Sequence, residues 1–296
     1  MPDTFYTVSP HWGWYAVVEF FVAGLAGTSA GIAALLWLFS RNRDDRLVAR
    51  WGFGIAMVGS VLSGLLLIAD LKRPDRFWHM LLFSETLLPT FLKWWSVMAL
   101  GAWALFVFGG TSFLIFVGSL AEAGRLPRGL AFLGREPIGT ILAFVAGLAG
   151  TFYAGYKGVL LNATNRPLWG NTVWLGALFF ASGMAAACVL LLLITRRRAP
   201  ATSAWLGQLL FGALGVTLVV ALGLLFSLQG SVLRLVLGNV YGVILALTLV
   251  FGVLLPLILT WRPQLLGRYA IPSLAVLVLA GAFLLRVAVI LSSEAA

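Results

Sequence analysis

The side chains best suited to chemistry in this sequence lie at the start of its first long apolar run. Glu19 is the only charged residue in the run 16–39. Tyr15 and His11 come four and eight residues earlier, so on a helix all three fall in one stripe about two turns long. Each of these side chains can hydrogen-bond or exchange a proton. We therefore expect His11, Tyr15 and Glu19 to form a proton path from water into the apolar region.

Glu19 needs an explanation, because a carboxylate inside hydrocarbon is costly. The first explanation is functional: apolar surroundings disfavour the charged form, which suits a group that gives and takes protons. The second is structural, since Glu19 could stay protonated or pair with a basic residue such as Lys157. We favour the functional explanation and keep the structural pair as its alternative.

Further polar residues end two other apolar runs at the level where Glu19 enters the first. Asp70 ends the second run, and Tyr153 and Tyr156 end the fourth, with Asn162 after them. We expect Asp70 to take part in proton exchange, or else to hold its loop through a salt bridge. Phenol and amide groups are suited to hydrogen-bonding a ligand. The first half of the chain is therefore where we expect the chemistry.

The elements that must position these residues are membrane-spanning helices. The chain has 296 residues, of which 61% are hydrophobic and 10% charged. Continuously apolar runs long enough to cross a bilayer recur at about 16–39, 51–69, 94–120, 138–156, 173–195, 205–228, 240–260 and 271–291. These runs predict an all-α polytopic membrane protein with eight transmembrane helices in a single integral membrane domain.

The basic residues indicate the topology of the chain. Twelve of the twenty lie in the loops after the first, third, fifth and seventh runs: Arg41, Arg43, Arg46, Arg50, Arg125, Arg128, Arg135, Arg196, Arg197, Arg198, Arg262 and Arg268. The positive-inside rule puts these loops in the cytoplasm and both termini on the extracytoplasmic side. We thus expect a multi-pass protein of the bacterial cytoplasmic membrane. The net charge of +10 is explained by basic residues that set the orientation of the helices, so we expect no binding to nucleic acid.

The two loops on the side of the termini combine basic and aromatic residues. The loop after the second run carries Lys72, Arg73, Arg76 and Trp78, and the loop after the fourth carries Arg166 and Trp169. Tryptophan at a membrane surface can serve simply as an interfacial anchor. The alternative is a surface on which a partner protein docks. Composition alone leaves these two interpretations open.

The redox chemistry open to this chain is limited by its few ligands. It has two histidines, His11 and His79, on separate segments, and one cysteine, Cys188. A transmembrane haem usually needs two axial ligands from within helices, and an iron–sulfur cluster needs several cysteines, so we expect no haem and no metal. A quinone needs only a lipid-accessible pocket, hydrogen-bonding groups and a titratable group near water. Its electrons would then come from, or go to, a partner protein.

Two features concern packing. The segment FVAGLAGT occurs at 21–28 and again at 144–151. Its small residues permit close approach of helices in lipid and predict an antiparallel contact between the first and fourth helices, although an inverted-repeat transporter is also conceivable.

Arg286, the only charge in the last run, is predicted to extend its side chain to the membrane surface.

Several segments together resemble the NrfD/PsrC family, the quinone-interacting membrane subunits of polysulfide-reductase-like molybdoenzyme complexes. They are FFVAGLAGTSAG in the first helix, DLKRPDRFW after the second, and GYKGVLLNATNRPLWGNT with FFASGMAAA around the fourth and fifth. The resemblance implies eight helices in two four-helix bundles. It also implies an extracytoplasmic iron–sulfur subunit, similar to a four-cluster ferredoxin, and a molybdopterin catalytic subunit beyond it.

The resemblance also places a quinone, by expectation a menaquinone, near the outer surface between the first and fourth helices. Carried over to this sequence, it implies Tyr15, Glu19 and Tyr156 as quinone-site residues, with Asp70 in support. Lys157 follows Tyr156 where a small polar residue is common in the family. The predicted function is a quinone- or quinol-binding electron-transfer subunit without catalytic activity of its own. A purely structural membrane anchor and a secondary transporter are the alternatives.

Overall fold

The computed structural model describes residues 12–39, 42–164, 166–228, 230–262, 264 and 267–292. Eight helices in this part of the chain are long and apolar enough to cross a membrane. The described residues form no strand, and only an isolated bridge joins Leu82 to Pro89. The prediction of an all-α protein with eight apolar spans is therefore confirmed.

The eight long helices are numbered α1 to α8 along the chain. Their bounds are α1 Trp14–Leu38, α2 Arg43–Asp70, α3 Val97–Glu122, α4 Ile138–Asn162, α5 Leu175–Thr195, α6 Pro200–Ser227, α7 Val240–Trp261 and α8 Ala270–Ser292. Short helical segments lie in the connections, among them the 3-10 turn Pro74–Met80 and the helix Gly230–Leu237.

The helices α2 and α4 extend well beyond the apolar runs that predict them. α2 begins at Arg43, where the sequence predicts a start near residue 51, because Asn42 caps it: the Asn42 side chain accepts a hydrogen bond from the Asp45 amide at 2.9 Å. The acidic Asp44 and Asp45 in the first turn suit the positive end of the helix dipole. α4 continues to Asn162, so Lys157 lies within the helix and presents its side chain to a neighbouring helix.

The helix α1 is the centre of the packing. It contacts α2 and α4 extensively and also reaches α5 and α8. Within the first half, α3 packs against α2 and α4, while α6 packs on α5 in the second half. The buried apolar residues of both halves join in shared clusters, one containing Phe20 and Leu285 and the other containing Ile32 and Leu274.

The two copies of FVAGLAGT meet at equivalent positions. A Cβ on Gly27 would collide with the backbone oxygen of Gly150, and a Cβ on Gly150 would come within 2.8 Å of the backbone oxygen of Gly27. The two helices run in opposite directions, since Glu19 near the start of α1 meets Lys157 near the end of α4. The predicted antiparallel contact between the first and fourth helices is confirmed, and its glycines are the reason the backbones can touch.

The helix α7 has an irregular middle. Its residues Thr248–Leu254 form a π-helical segment between two α-helical stretches. The segment packs against α8, where Gly252 faces Gly281 so closely that a Cβ on either residue would overlap the other backbone. Such π segments insert one extra residue per turn and are frequent at functional sites.

Candidate functional site

Glu19 lies at a buried junction of α1 and α4. Its side chain is 1% exposed, and its Oε1 receives two donors from α4. The phenol of Tyr153 donates to Oε1 at 2.8 Å, and Lys157 Nζ lies 2.8 Å from the same oxygen. The pair that the sequence offers as the structural alternative for Glu19 is thus present in the structure.

The positions of Tyr153 and Lys157 follow from helix periodicity and close packing. They are four residues apart on α4, so they lie on one face of that helix. The contact of Gly27 with Gly150 brings this face against α1 two turns further into the protein. Both side chains can therefore reach one carboxylate oxygen without extending into lipid.

The ammonium group of Lys157 is surrounded by aromatic rings. Its Nζ lies 4.3 Å from the ring centroid of Tyr153, 5.2 Å from that of Phe20 and 5.7 Å from that of Tyr156. A cation over aromatic faces is attracted by their electron density, most strongly where water is absent. These rings hold the Lys157 charge in the interior together with its partner Glu19.

The second carboxylate oxygen of Glu19 is different from the first. Oε2 is buried and has no hydrogen-bond partner among the described residues. A carboxylate oxygen in a protein interior is ordinarily hydrogen-bonded, because leaving it unpaired costs free energy. Glu19 therefore presents one oxygen fixed by Tyr153 and Lys157 and one oxygen able to accept a proton or a donor from a ligand.

Tyr156 closes the cluster on the side of α3. Its phenol donates to the carbonyl of Val97, at the start of α3, at 2.8 Å. Its ring lies directly on Gly101, where a Cβ would overlap it, and stacks on Tyr153 with centroids 6.2 Å apart. Only a residue without a side chain at position 101 leaves room for the ring.

An apolar groove runs between α3 and α4 beside Tyr156. It has a volume of about 690 Å³, and Leu100, Trp103, Ala104, Leu148 and Phe152 are among the residues that line it. This volume is within the range of small-molecule sites. Phe152 lines the groove and stacks on Tyr156 at 5.9 Å, so the groove lies next to the cluster around Glu19 and is separated from it by these two rings.

The loop before α3 covers one end of this groove. The indole Nε1 of Trp103 donates to the carbonyl of Leu81 at 3.1 Å and to Thr90 Oγ1 at 3.2 Å. Phe91 packs on Trp103 with ring centroids 5.1 Å apart. These contacts fasten the loop over the groove, which remains open along its side.

The structure brings together some of the predicted site residues and separates others. Glu19, Tyr153 and Tyr156 share the cluster just described, but Tyr15 is 52% exposed at the first turn of α1. Asp70 is exposed at the end of α2. The Oδ1 atom of Asn162 is buried without a hydrogen-bond partner among the residues that the structure describes.

His11, the outermost residue of the predicted proton path, lies outside the described residues. Tyr15 and Glu19, the other two residues of the path, are four residues apart on one helix face but differ in how deeply they are buried. Tyr15 is in the first turn of α1, beyond most of its contacts, whereas Glu19 is one turn further in and 1% exposed.

The residues predicted to dock a partner are also divided. Lys72, Arg73, Arg76 and Trp78 are exposed, and Arg166 is half-buried. Trp169 is fully buried: its Nε1 donates to the carbonyl of Val289 at 2.9 Å and its ring packs on Trp12. A tryptophan in a loop after a span suggests a surface position, but this one fills a gap between α8 and the start of α1. Trp169 is therefore not available to contact a partner protein.

Arg286 is in the interior, and the prediction that it reaches the membrane surface is wrong. Its side chain is 0% exposed and its guanidinium lies beside Gly24, where a Cβ would stand 2.9 Å from Nη2. Carbonyl and hydroxyl oxygens of α5 and α8 accept its hydrogen bonds. The signal in the sequence is the combination of Gly24 with Ser182, small residues that leave space for a large side chain.

In the described part of the chain, no group of three or more histidine, cysteine, aspartate or glutamate residues could hold a metal ion.

Comparison with known proteins gives a family match over nearly the whole chain. Residues 2–295 match the sequence pattern of the family described as "Polysulphide reductase, NrfD". The protein is also similar to the C subunit of polysulfide reductase from Wolinella succinogenes, with 30% identity over 192 residues. That alignment covers 59% of this chain and 55% of the relative, so the chain spans about half the length of the curated relative it matches. On the match to nearly all of its residues, this chain belongs to the polysulphide reductase NrfD family.

Proposed function

We propose that this protein is the quinone- or quinol-binding membrane subunit of a respiratory oxidoreductase complex. It exchanges electrons between the quinone pool and an extracytoplasmic iron–sulfur subunit, beyond which lies a molybdopterin catalytic subunit. In this proposal its helices form two four-helix bundles in a bacterial cytoplasmic membrane, with both termini outside. The observation that carries the proposal is the unpartnered Oε2 of Glu19, buried beside phenols and separated from an apolar groove by the rings of Tyr156 and Phe152.

The residues of the cluster suit the demands of such a ligand. When bound, a quinone supplies chemistry in which two electrons and two protons are exchanged at its ring oxygens. Glu19 Oε2 is placed to take up or release a proton, while Tyr153 and Lys157 hold Oε1 and so fix the carboxylate. Tyr153 and Tyr156 stack on each other beside this carboxylate and give the site an aromatic character suited to a flat ring.

The groove between α3 and α4 suits the apolar tail. Its lining side chains are nearly all hydrocarbon or aromatic, and it opens sideways along the two helices. An isoprenoid tail in this groove would lead its ring towards Tyr156 and Phe152, which separate the groove from Glu19. A ligand could thereby enter from lipid without passing through water.

The structural alternative has one observation in its favour. The pair of Glu19 and Lys157 joins α1 to α4 in the interior, as a purely structural anchor would require. A structural pair accounts for Oε1 but gives no use for Oε2, and it does not need the adjoining groove. These two features favour the quinone site over an anchor.

The test is Glu19→Gln in the complete complex, because glutamine keeps the shape and hydrogen bonding of Glu19 but cannot titrate. We expect the complex to assemble and to retain its activity with an artificial dye, while quinone-linked turnover falls by about 10²–10⁴-fold. Glu136→Gln, at an exposed position in the loop before α4, is the matched control and should leave both activities unchanged.

The outcomes separate the proposals. Normal quinone-linked turnover in Glu19→Gln would refute a proton-exchanging role for this residue. Failure of that variant to assemble would instead support the structural pair.

A further inference from the structure

A second polar region lies in the other half of the protein, around Arg286 on α8. Its Nη1 donates to Ser182 Oγ and to the carbonyl of Ala282, both at 2.8 Å, and its Nη2 donates to the carbonyl of Phe179 at 2.9 Å. All three acceptors are uncharged. An intramembrane charge of this kind is costly and usually marks a polar pathway or a binding site.

Ser182 connects Arg286 to a small cavity. The cavity has a volume of about 10 Å³ and lies between α5, α6, α7 and α8. Three hydroxyl-bearing residues line it, Ser182, Thr217 and Thr248. Its volume corresponds to about one water-sized sphere.

Thr248 supplies independent evidence for an occupant. Its side chain is 2% exposed, it lines the cavity, and its Oγ1 has no hydrogen-bond partner among the described residues. Thr248 is also the first residue of the π-helical segment of α7. A hydroxyl buried without a partner costs free energy, so a ligand that satisfies it is favoured.

We propose that this cavity is a binding site for one water molecule. The hydroxyl of Thr217 donates to the carbonyl of Ala213 and that of Ser182 to the carbonyl of Leu178, both at 2.7 Å, so each oxygen keeps a lone pair for a further donor. The water accepts a hydrogen bond from Thr248 Oγ1 and donates to Thr217 Oγ1 and Ser182 Oγ. Three hydrogen bonds are typical of a buried water.

The water completes a polar chain through the second half of the protein. The chain runs from Thr248 on α7 through the water to Ser182 on α5 and on to Arg286 on α8. The water thereby polarises the Ser182 hydroxyl, which accepts a hydrogen bond from Arg286, and so supports a cation whose acceptors are all uncharged. Phe20 and Phe179, whose ring centroids are 6.0 Å apart, stand between this region and the Glu19 cluster.

A neighbouring cavity offers a built-in comparison. It has the same volume of about 10 Å³, but its lining residues, among them Leu178, Leu224 and Ala288, are all apolar. Apolar cavities of this kind stay dry, since a water there would lose its hydrogen bonds. We expect the hydroxyl-lined cavity to be hydrated and the apolar cavity to be empty.

The first measurement is an experimental density map of the full-length protein in lipid nanodiscs, at a resolution that shows other buried waters. A peak within hydrogen-bonding distance of Thr248, with none in the apolar cavity, supports the proposal. Absence of a peak beside Thr248 in such a map overturns it.

The second measurement is the thermal stability of Thr248→Val, and its sign decides the question. If a water is bound, valine removes one of its partners and the Tm should fall by about 2–6 °C. If the cavity is dry, valine removes an unsatisfied hydroxyl and the Tm should rise, which would overturn the proposal. Thr248→Ser keeps the hydroxyl and should retain more of the stability than valine does.

Thr111→Val is the matched control. Its hydroxyl donates to the carbonyl of Val107 within α3, away from the cavity, so its loss should change the Tm by less than that of Thr248. An equal fall in both variants would show that the effect belongs to any buried or half-buried threonine and would contradict the water site.

Discussion

The pair of Glu19 and Lys157 determines how the two residues respond to substitution. Each loses its partner when the other is replaced, and a buried charge without a partner must either become neutral or destabilise the protein. Their side chains are 1% and 2% exposed, so solvent offers neither of them a substitute.

We predict that the two residues are energetically coupled. Glu19→Gln and Lys157→Met should each lower the free energy of unfolding, whereas the double variant should be more stable than the sum of the two effects by about 1–3 kcal/mol. Unfolding of the purified protein in detergent, measured for the three variants, gives the coupling directly. If the effects of the two single substitutions simply add, the contact between Glu19 and Lys157 makes no contribution of its own to stability.

At the residue scale, the sequence predicts which side chains meet better than it predicts how deeply each of them is buried. Glu19, Tyr153 and Tyr156 stand out as polar groups in apolar runs, and they do meet. The exposure of Tyr15 could not be derived, because spacing along a helix does not show where its neighbours end. The burial of Arg286 depends on space left by Gly24, a residue of α1 far away in the sequence.

Among the elements, α3 and α4 border the groove through which we propose that a ligand reaches the Glu19 cluster. The groove between them lies beside Tyr156, and small residues such as Ala104 and Ala149 are part of its lining. If the groove holds an isoprenoid tail, a substitution that fills it should weaken the binding of long-tailed ligands more than that of tailless ones.

We predict that Ala104→Phe raises the KM for a long-tailed quinol by roughly tenfold or more, because it removes apolar contact area for the tail. Turnover with a tailless analogue should change little, since the ring site is intact. Val219→Phe, at a 67% exposed position of α6, is the control for added bulk on the outside of the protein.

Equal loss with both ligands would mean that the substitution disturbs the ring site itself. No loss with either would exclude the groove as the place of the tail while leaving Glu19→Gln as an independent test of quinone chemistry.

Element bounds could be predicted where the signal is local. The apolar runs locate all eight spans, but the early start of α2 depends on a cap at Asn42 in a segment rich in charge. The π segment of α7 ends two residues before Pro256, which has no amide hydrogen to donate to the carbonyl of Gly252, whereas the contact of Gly252 with Gly281 is visible only in the packed structure.

At the scale of the whole molecule, the exposed basic residues suggest where a partner binds. Lys72, Arg73 and Arg76 are exposed in the segment after α2, together with Trp78. Basic side chains around an aromatic residue are suited to an acidic partner surface, and their contribution is sensitive to salt.

We predict that Lys72→Glu with Arg76→Glu releases the iron–sulfur partner at ordinary ionic strength, because the two reversals turn attraction into repulsion. The variant protein itself should remain inserted in the membrane. Co-purification of the complex measures the effect, and Arg234→Glu, an exposed position between α6 and α7, is the control. Retention of the partner by the double variant would remove this segment from the interface.

The whole molecule was predictable in outline. Hydropathy alone requires eight spans, and the repeated FVAGLAGT correctly pairs the first helix with the fourth. The contacts of α5 and α8 with α1 could not be anticipated, because small residues are abundant in all of these helices and do not specify a partner.

The contact of Gly27 with Gly150 also has a consequence for sidedness. At this crossing the backbones of α1 and α4 touch, and Gly147 meets Ala34 just beyond it, so no water file can continue along the interface. The crossing therefore closes the α1–α4 interface to water on the side of Glu19 that faces the middle of α1. Any proton that reaches this carboxylate along the α1–α4 interface must arrive from, and return to, the side of the membrane where α1 begins.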